Sequence, residues 1–273
     1  MPSLRGIEGV AWNPATASEN RIHSDEVARQ YGFRGGLVPG VTVYALLVEP
    51  AVRAWGLDWL THGSATVTLR KPLYEGERFR VEVDEPGEAD ERRCRVWGPD
   101  EVLCADGSVS APGATDGPVP VRRGDGRVPP RGERPDATRA LLEDLRGKGL
   151  GALALRWDGT GEQGRYRDRP ADMPDLVRAD RGGFAHPGFS LGLANWVLSN
   201  NVRLGPWIHV ESRVRHHAPL PLGTTTLTEA RISDLFERRG HEFVDLEVAV
   251  FDDDDRPLLS AFHRAIYRLR PPD

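Results

Sequence analysis

Cysteine is almost missing from this chain. Cys94 and Cys104 are the only two in 273 residues, so neither a disulfide framework nor a cysteine-rich metal site is on offer, and two reduced thiols are expected. Long apolar runs are missing too. None approaches the roughly 20 residues of a membrane-crossing helix, and Met1-Pro2-Ser3-Leu4-Arg5 lacks the charged head and apolar run of a signal peptide. Positive charge is in deficit: 36 Lys and Arg stand against 41 Asp and Glu, a formal net charge of −5, which argues against a nucleic-acid footprint. Lys71 and Lys148 are the only lysines, so nearly all the positive charge is arginine. No phosphate loop or dinucleotide fingerprint in context is present, which disfavours nucleotide-driven chemistry. Metal-ligand spacings are absent as well; Asp252 to Asp255 reads as a solvated turn, and strand alternation sends His216 and His217 to opposite faces. These absences predict a cytoplasmic protein with no metal, no cofactor, no nucleic-acid partner and no membrane partner.

Glycine and proline, by contrast, are abundant, at 30 and 22 residues, and unevenly spread. Many fall between Ala111 and Pro135, a stretch with almost no apolar periodicity that reads as an exposed connector. Its mid-chain position divides the sequence into an N-terminal half (1–112), a linker (113–136) and a C-terminal half (137–273). The halves echo one another. Arg34-Gly35-Gly36-Leu37-Val38-Pro39-Gly40 matches Arg181-Gly182-Gly183-Phe184-Ala185-His186-Pro187-Gly188, and Pro72-Leu73-Tyr74-Glu75-Gly76 matches Pro219-Leu220-Pro221-Leu222-Gly223 at nearly the same offset. A duplication is the simplest account.

Each half runs from a Gly/Pro loop into an apolar helix of about four turns, with Pro50 expected to break or kink the first near its middle. Alternating segments follow: 65–69, 78–83, 94–97 and 101–104 in the first half, then 209–214, 225–230, 242–251 and 258–268 in the second. Period-two alternation marks half-buried strands, with Pro99-Asp100-Glu101 and the Asp252 run at hairpin turns. A helix apolar all round must be wrapped. The predicted class is α+β, two antiparallel sheets each wrapped around a central helix.

That arrangement resembles a double hotdog fold. Asn20-Arg21-Ile22-His23-Ser24-Asp25, then Ala28, Gly32-Phe33 and Val38-Pro39-Gly40, resembles the MaoC-like, R-specific enoyl-CoA hydratase family, whose signature runs Asp-x-Asn-Pro-Leu-His-x-Asp and later a His-Gly opening the central helix. Asn20, His23, Asp25 and Gly40 fall on the family's residues. Arg21 replaces its Pro, Pro39 its second His, and Ser18 its catalytic Asp, with Glu19 one position late. The resemblance implies a hydratase or dehydratase acting on an acyl thioester carried by coenzyme A or a carrier protein, as monomer or homodimer.

The candidate acid–base group is His23, whose imidazole titrates near working pH, with Glu19 as partner carboxylate and His186 approaching the same cleft from the second half. Asn20 and the amides of Gly40 and Val41 are the candidate substrate contacts, since backbone N–H groups at a helix start stabilise a carbonyl gaining negative charge. Gly188 and Phe189 are placed to do likewise. Ser24 is expected to cap the helix stopped by Gly32, and Asp25 to favour its start. Asn195, Asn200 and Asn201 need partners or a channel. Glu49 or His23 is the candidate water-activating group of a rival thioesterase; a specialised dehydratase or cyclase and a non-catalytic subunit are the remaining alternatives.

Overall fold

The computed structural model describes residues 3–85, 91–113, 117–158, 175–177 and 183–270. The first half contributes β1 (Ile7–Val10), α1 (Asp25–Gln30), α2 (Gly40–His62), β2 (Ser64–Leu69), β3 (Arg78–Val83), β4 (Glu91–Trp97) and β5 (Leu103–Ser110). The second contributes α3 (Arg139–Lys148), β6 (Leu153–Arg156), α4 (Pro187–Asn201), β7 (Ile208–His216), β8 (Thr225–Arg238), β9 (His241–Phe251) and β10 (Pro257–Arg268). Among the described residues no helix is long and apolar enough to cross a membrane. Cys94 and Cys104 are buried and unpaired.

One helix per half packs on antiparallel strands, as the patterning predicts, but the expected two sheets are one. Its order is β1-β3-β4-β5-β2-β7-β10-β9-β8-β6. The seam is β2 on β7, from Ser64 opposite Arg215 to Thr68 opposite Glu211. Without that pairing each strand would present an edge of unsatisfied N–H and C=O groups.

Every residue of α2 from Val41 to Val52 is buried, Glu49 and Pro50 included. So continuous a run leaves no solvent face, and α2 is covered by the sheet and by α4. Pro50 does not break this helix. The interruption is at Gly56, with φ 55 and ψ −130, a backbone state that a residue without a β-carbon adopts readily. The strand expected at 101–104 is also displaced. Pro99–Glu101 forms the turn, and β5 starts at Leu103 and runs to Ser110. Its Ala-Asp-Gly-Ser stretch has weak strand propensity, yet β4 and β2 pair with it on both sides. At Gly107 a β-carbon would overlap the Thr66 carbonyl.

The sequence echoes correspond to repeated hydrogen bonds. Val38 N–H reaches Leu73 O at 2.9 Å, and Ala185 N–H reaches Leu220 O at 2.7 Å. Leu37 bridges Tyr74, and Phe184 bridges Pro221. Ala11 N–H reaches Glu77 O at 2.7 Å, and Trp157 N–H reaches Thr224 O at 2.8 Å. Leu37 N–H bonds Ile22 O and Phe184 N–H bonds Leu176 O, which makes Val177 the counterpart of His23 in the second half. In this register Pro39 and His186 correspond, each the N-cap of its helix. Arg181 and Gly182 lie outside the described residues.

The central helices meet at Gly188, where a β-carbon would stand 2.9 Å from Val41 O and 3.3 Å from the Ala45 β-carbon. Gly188→Ala is therefore expected to destabilise the fold by about 1–3 kcal/mol through overpacking, read as a lower urea midpoint at unchanged m-value.

The connector is mostly exposed, as expected, but it is not loose. Glu229, fully buried on β8, accepts N–H groups of Arg123 (2.8 Å), Gly124 (3.0 Å) and Asp125 (3.2 Å) and pairs with Arg122 at 3.0 Å. Four donors compensate its desolvation and hold its carboxyl below the usual range.

Candidate functional site

Asn20 caps the short 3-10 turn Arg21–His23 by accepting the Ile22 N–H, and that turn delivers the His23 ring. His23 Nδ1 lies 2.7 Å from the Leu37 carbonyl oxygen. A carbonyl only accepts, so Nδ1 carries the proton and Nε2 the lone pair. The Asn20 amide nitrogen is 3.3 Å from Nε2. Its orientation is set from the other half: Asn20 Nδ2 donates to Trp207 O at 2.9 Å, and Trp207 N–H donates to Asn20 Oδ1 at 3.2 Å. Burial pushes the His23 imidazolium down to about 4, so the ring is neutral at physiological pH.

Two cavities meet at this point. The larger, about 540 Å³, is walled by Arg131, Arg134, Arg203, Trp196 and Asn200 among others. The smaller, about 260 Å³, is largely apolar, with Ile22, Phe33, Val43, Leu73, Ile208 and Ile266 in its wall. Asn20, His23, Pro39, Asn195 and Trp207 line both. Asn195 therefore faces a channel, and its Oδ1 is buried with no hydrogen-bond partner among the described residues.

The start of α2 lies at the same junction, with Gly40 on the smaller cavity and Val41 on the larger. Thr42 and Val43 N–H groups bond Pro39 O at 2.8 and 3.0 Å. Proline has no side-chain acceptor, so the Gly40 and Val41 N–H groups keep no acceptor among the described residues. The start of α4 is different. Pro187 has no N–H, His186 Nδ1 accepts Gly188 N–H at 3.1 Å, and Phe189 N–H bonds His186 O at 2.8 Å. Gly188 and Phe189 are thus not the second pair of donors anticipated from the sequence.

His186 is a buried N-cap that lines neither cavity, so it does not join His23. Glu19 does line the larger cavity, but its carboxylate bonds Arg134 at 3.0 Å and also Arg131, not His23. The Arg134 hydrogen bond holds Glu19 below the usual carboxylate range. Ser18, where the related motif has its Asp, donates to Asn20 O at 3.1 Å. Asp25 accepts Gly36 N–H at 2.8 Å and pairs with Arg29 at 2.9 Å, which pins the turn before α2. Ser24 does not cap α1 with its side chain; its hydroxyl donates to Arg21 O at 2.9 Å. Glu49 is buried in α2, bonded to Arg53 at 2.6 Å, and lines neither cavity. Asn201 is structural, exchanging hydrogen bonds with the Gly151 N–H and C=O at 2.7 and 2.8 Å. Asn200 lines the larger cavity and bonds Trp196 O at 2.8 Å. His216 packs against Trp59 with the rings tilted by 53°, while His217 bonds Ser260 at 2.9 Å, consistent with opposite faces.

Sequence reading missed Arg131 and Arg134, because they sit in the connector and reach the cavity only through tertiary contacts. It also missed the buried set His209, Ser212 and His263, joined by two 2.8 Å hydrogen bonds. Among the described residues Asp252, Asp253 and Asp254 are the one carboxylate group close enough to share a cation, far along the chain from this junction.

No protein-family model matches the chain, and no curated protein matches it in sequence. Solved structures do. A MaoC-like dehydratase superposes with a TM-score of 0.58 over 97% of this chain and 98% of its own, at 13% identity. A conserved hypothetical protein of Mycobacterium tuberculosis, described as a double hotdog and as essential for bacterial survival during infection, superposes with a TM-score of 0.57 at 16% identity, over 97% of this chain and 94% of its own. The dehydratase domain of PpsC from the same organism, solved in complex with C12:1-CoA, gives 0.55 at 13% identity, over 97% and 94% of the two chains. At such identities the likeness is one of fold: this chain is a double hotdog.

Proposed function

We propose that this double hotdog is a hydratase or dehydratase acting on an acyl thioester, with His23 as its acid–base group and the Gly40 and Val41 amides holding the thioester carbonyl. The observation that carries the reading is the junction itself. A neutral imidazole with its lone pair at Nε2 stands beside two unsatisfied N–H donors where a polar and an apolar cavity meet. The start of α4 has no such donors, so the reading assigns one working site per chain.

In this reading the apolar cavity takes the acyl chain, and the larger cavity takes the arm of coenzyme A or of a carrier protein. The N-terminal half (1–112) supplies His23 and the α2 amides, the C-terminal half (137–273) supplies Asn195 and Trp207, and the connector (113–136) supplies Arg131 and Arg134. In the dehydrating direction, His23 Nε2 takes the proton from the α-carbon of a 3-hydroxyacyl thioester. The electron pair moves onto the carbonyl oxygen, where the two N–H groups stabilise it. As the enolate re-forms its carbonyl, the β C–O bond breaks, and His23 returns the proton to the leaving hydroxide as water. One residue thus performs both transfers on one face, which needs no carboxylate at Ser18. A ring pushed down to about 4 is a strong acid once protonated, suited to the second transfer.

The test is incubation of the chain with short trans-2-enoyl-CoA substrates while conjugated absorbance and free thiol are followed together. Absorbance loss without thiol release is expected. Thiol release would make the protein a thioesterase, and silence across chain lengths would overturn both readings. Glu49 is bonded to Arg53 and lies outside both cavities, so a thioesterase at this site would also rely on His23.

A further inference from the structure

His209, Ser212 and His263 have no part in the reaction above, yet they form a buried chain of polar groups beneath it. His209 and Ser212 lie on β7 and His263 on β10, with relative exposures of 4%, 0% and 1%. Ser212 Oγ is 2.8 Å from His209 Nε2 and 2.8 Å from His263 Nδ1, and the two rings stack at 4.3 Å. The outer nitrogens, His209 Nδ1 and His263 Nε2, are buried without hydrogen-bond partners among the described residues.

A hydroxyl has one proton, so Ser212 donates to one ring and accepts an N–H from the other. Burial pushes His209 down to about 3, and His263 well below its ordinary value, so both rings are neutral. Two neutral arrangements remain. In one, Ser212 donates to His263, and the lone pair at the far end sits on His209 Nδ1. In the other, Ser212 donates to His209 Nε2, and His209 Nδ1 carries a proton. Each arrangement leaves one buried N–H unsatisfied, at His263 Nε2 or at His209 Nδ1, a cost of about 1–3 kcal/mol. The Glu211 backbone carbonyl also accepts from the His209 ring, and with Nδ1 unpartnered among the described residues it favours a proton at Nε2, the first arrangement; an acceptor arriving at Nδ1 draws the second.

His209 is where an acceptor can arrive. Its ring lines the apolar cavity, and Nδ1 lies 2.6 Å from the place a β-carbon on Gly40 would occupy. A side chain at residue 40 would overlap Leu69 as well as this ring. The unpartnered nitrogen thus points at the start of α2, the same helix end whose amides are free.

We propose that His209 is a further substrate-contacting residue, a neutral hydrogen-bond donor from Nδ1–H to the carbonyl oxygen of the bound acyl thioester, which selects that tautomer while Ser212 and His263 shift their protons to match. The assignment rests on the proposed placement of the thioester carbonyl at Gly40 and Val41. Each ring and the hydroxyl carries one proton in both arrangements, so the chain neither gains nor loses charge. A neutral donor stabilises an enolate without handing over its proton, which a buried imidazolium would do.

The probe is the carba analogue of butyryl-CoA, in which a methylene replaces the sulfur and the carbonyl stays. With the full chain uniformly ¹⁵N-labelled, the His209 Nδ1 resonance in the complex is expected at the protonated, pyrrole-type position. Isotope-edited infrared spectra of the ¹³C-labelled carbonyl are expected to show a lowered stretch that moves back up in His209→Ala. His209→Asn, whose side-chain N–H stands near the place of Nδ1, is expected to restore most of the lowering, which a purely packing role would not. If the Gly40 and Val41 amide resonances respond but His209 Nδ1 stays unprotonated, the proposal falls and the placement of the carbonyl stands. If those amides do not respond, both fall. The resonance test uses the unaltered protein, so it decides the matter even where His209→Ala does not fold.

Discussion

Replacing His23 by alanine is expected to lower kcat/KM for enoyl-thioester hydration by about 10²–10⁴-fold, the usual contribution of a positioned acid–base group, with the fold retained. The substitution removes the ring's bonds to the Leu37 carbonyl and the Asn20 amide. Asn20 keeps both of its contacts to Trp207, so the junction between the halves survives. The wild-type pH profile carries a sharper test. The neutral ring is the base, and burial pushes its imidazolium down to about 4 against an ordinary value of 6.5. Hydration should therefore hold level as pH falls through 6.5 and decline only near 4, read in the first seconds after a pH jump while tryptophan fluorescence reports the fold. A decline centred near the ordinary histidine value would remove His23 from the role.

The second large effect concerns stability. His209, His216 and His263 are each buried to 4% exposure or less, and desolvation pushes His209 and His216 down to about 3 and His263 well below 6.5. In the unfolded chain these rings take up protons as pH falls below about 6.5, while in the fold they stay neutral. The unfolded state therefore binds more protons, and stability falls with pH through that window at roughly 1.4 kcal/mol per unit for each ring. The full contribution is present above the unfolded value and is lost progressively down to the folded one. Three such rings acting on a total of about 5–15 kcal/mol predict cooperative acid unfolding between about pH 6 and 4. Urea midpoints measured at neutral pH and at about pH 5 should differ strongly. His216→Phe, which keeps a ring against Trp59 at the present 4.7 Å spacing, should reduce that pH dependence by about a quarter or less, because His23, pushed down to about 4, adds to it. Equal midpoints at the two pH values would show that the rings are not desolvated as described.

Local pattern carried the sequence reading where short-range physics decides the structure. The apolar run of α2 from Val41 to Val52 has no solvent face, so it is central in any compact fold of this chain. Asn20 and His23 are three residues apart, and one 3-10 turn brings their side chains together. Pro39 and Pro187 mark the two helix starts, though the reading could not tell a start with free donors from one closed by His186. Pro50 misled, because a proline in a buried helix loses one hydrogen bond without forcing a break, whereas Gly56 takes a positive φ within the run.

What the sequence by itself determined, then, is the class of fold, the two echoing turns before the central helices and the two polar side chains of one turn. The rest of the site was decided by register across the sheet and by where the connector docks. Glu19 meets Arg134 over 115 positions, and Asn20 meets Trp207 over 187. His209 and Ser212 are three residues apart on β7, and plain alternation sends them to opposite faces. A register shift in the β7–β10 pairing, where Arg264 and Ala265 face Glu211 and His209, skips Val210 and turns both onto one face beside His263. A bulge of this kind depends on the neighbouring strand, and no periodicity within β7 records it.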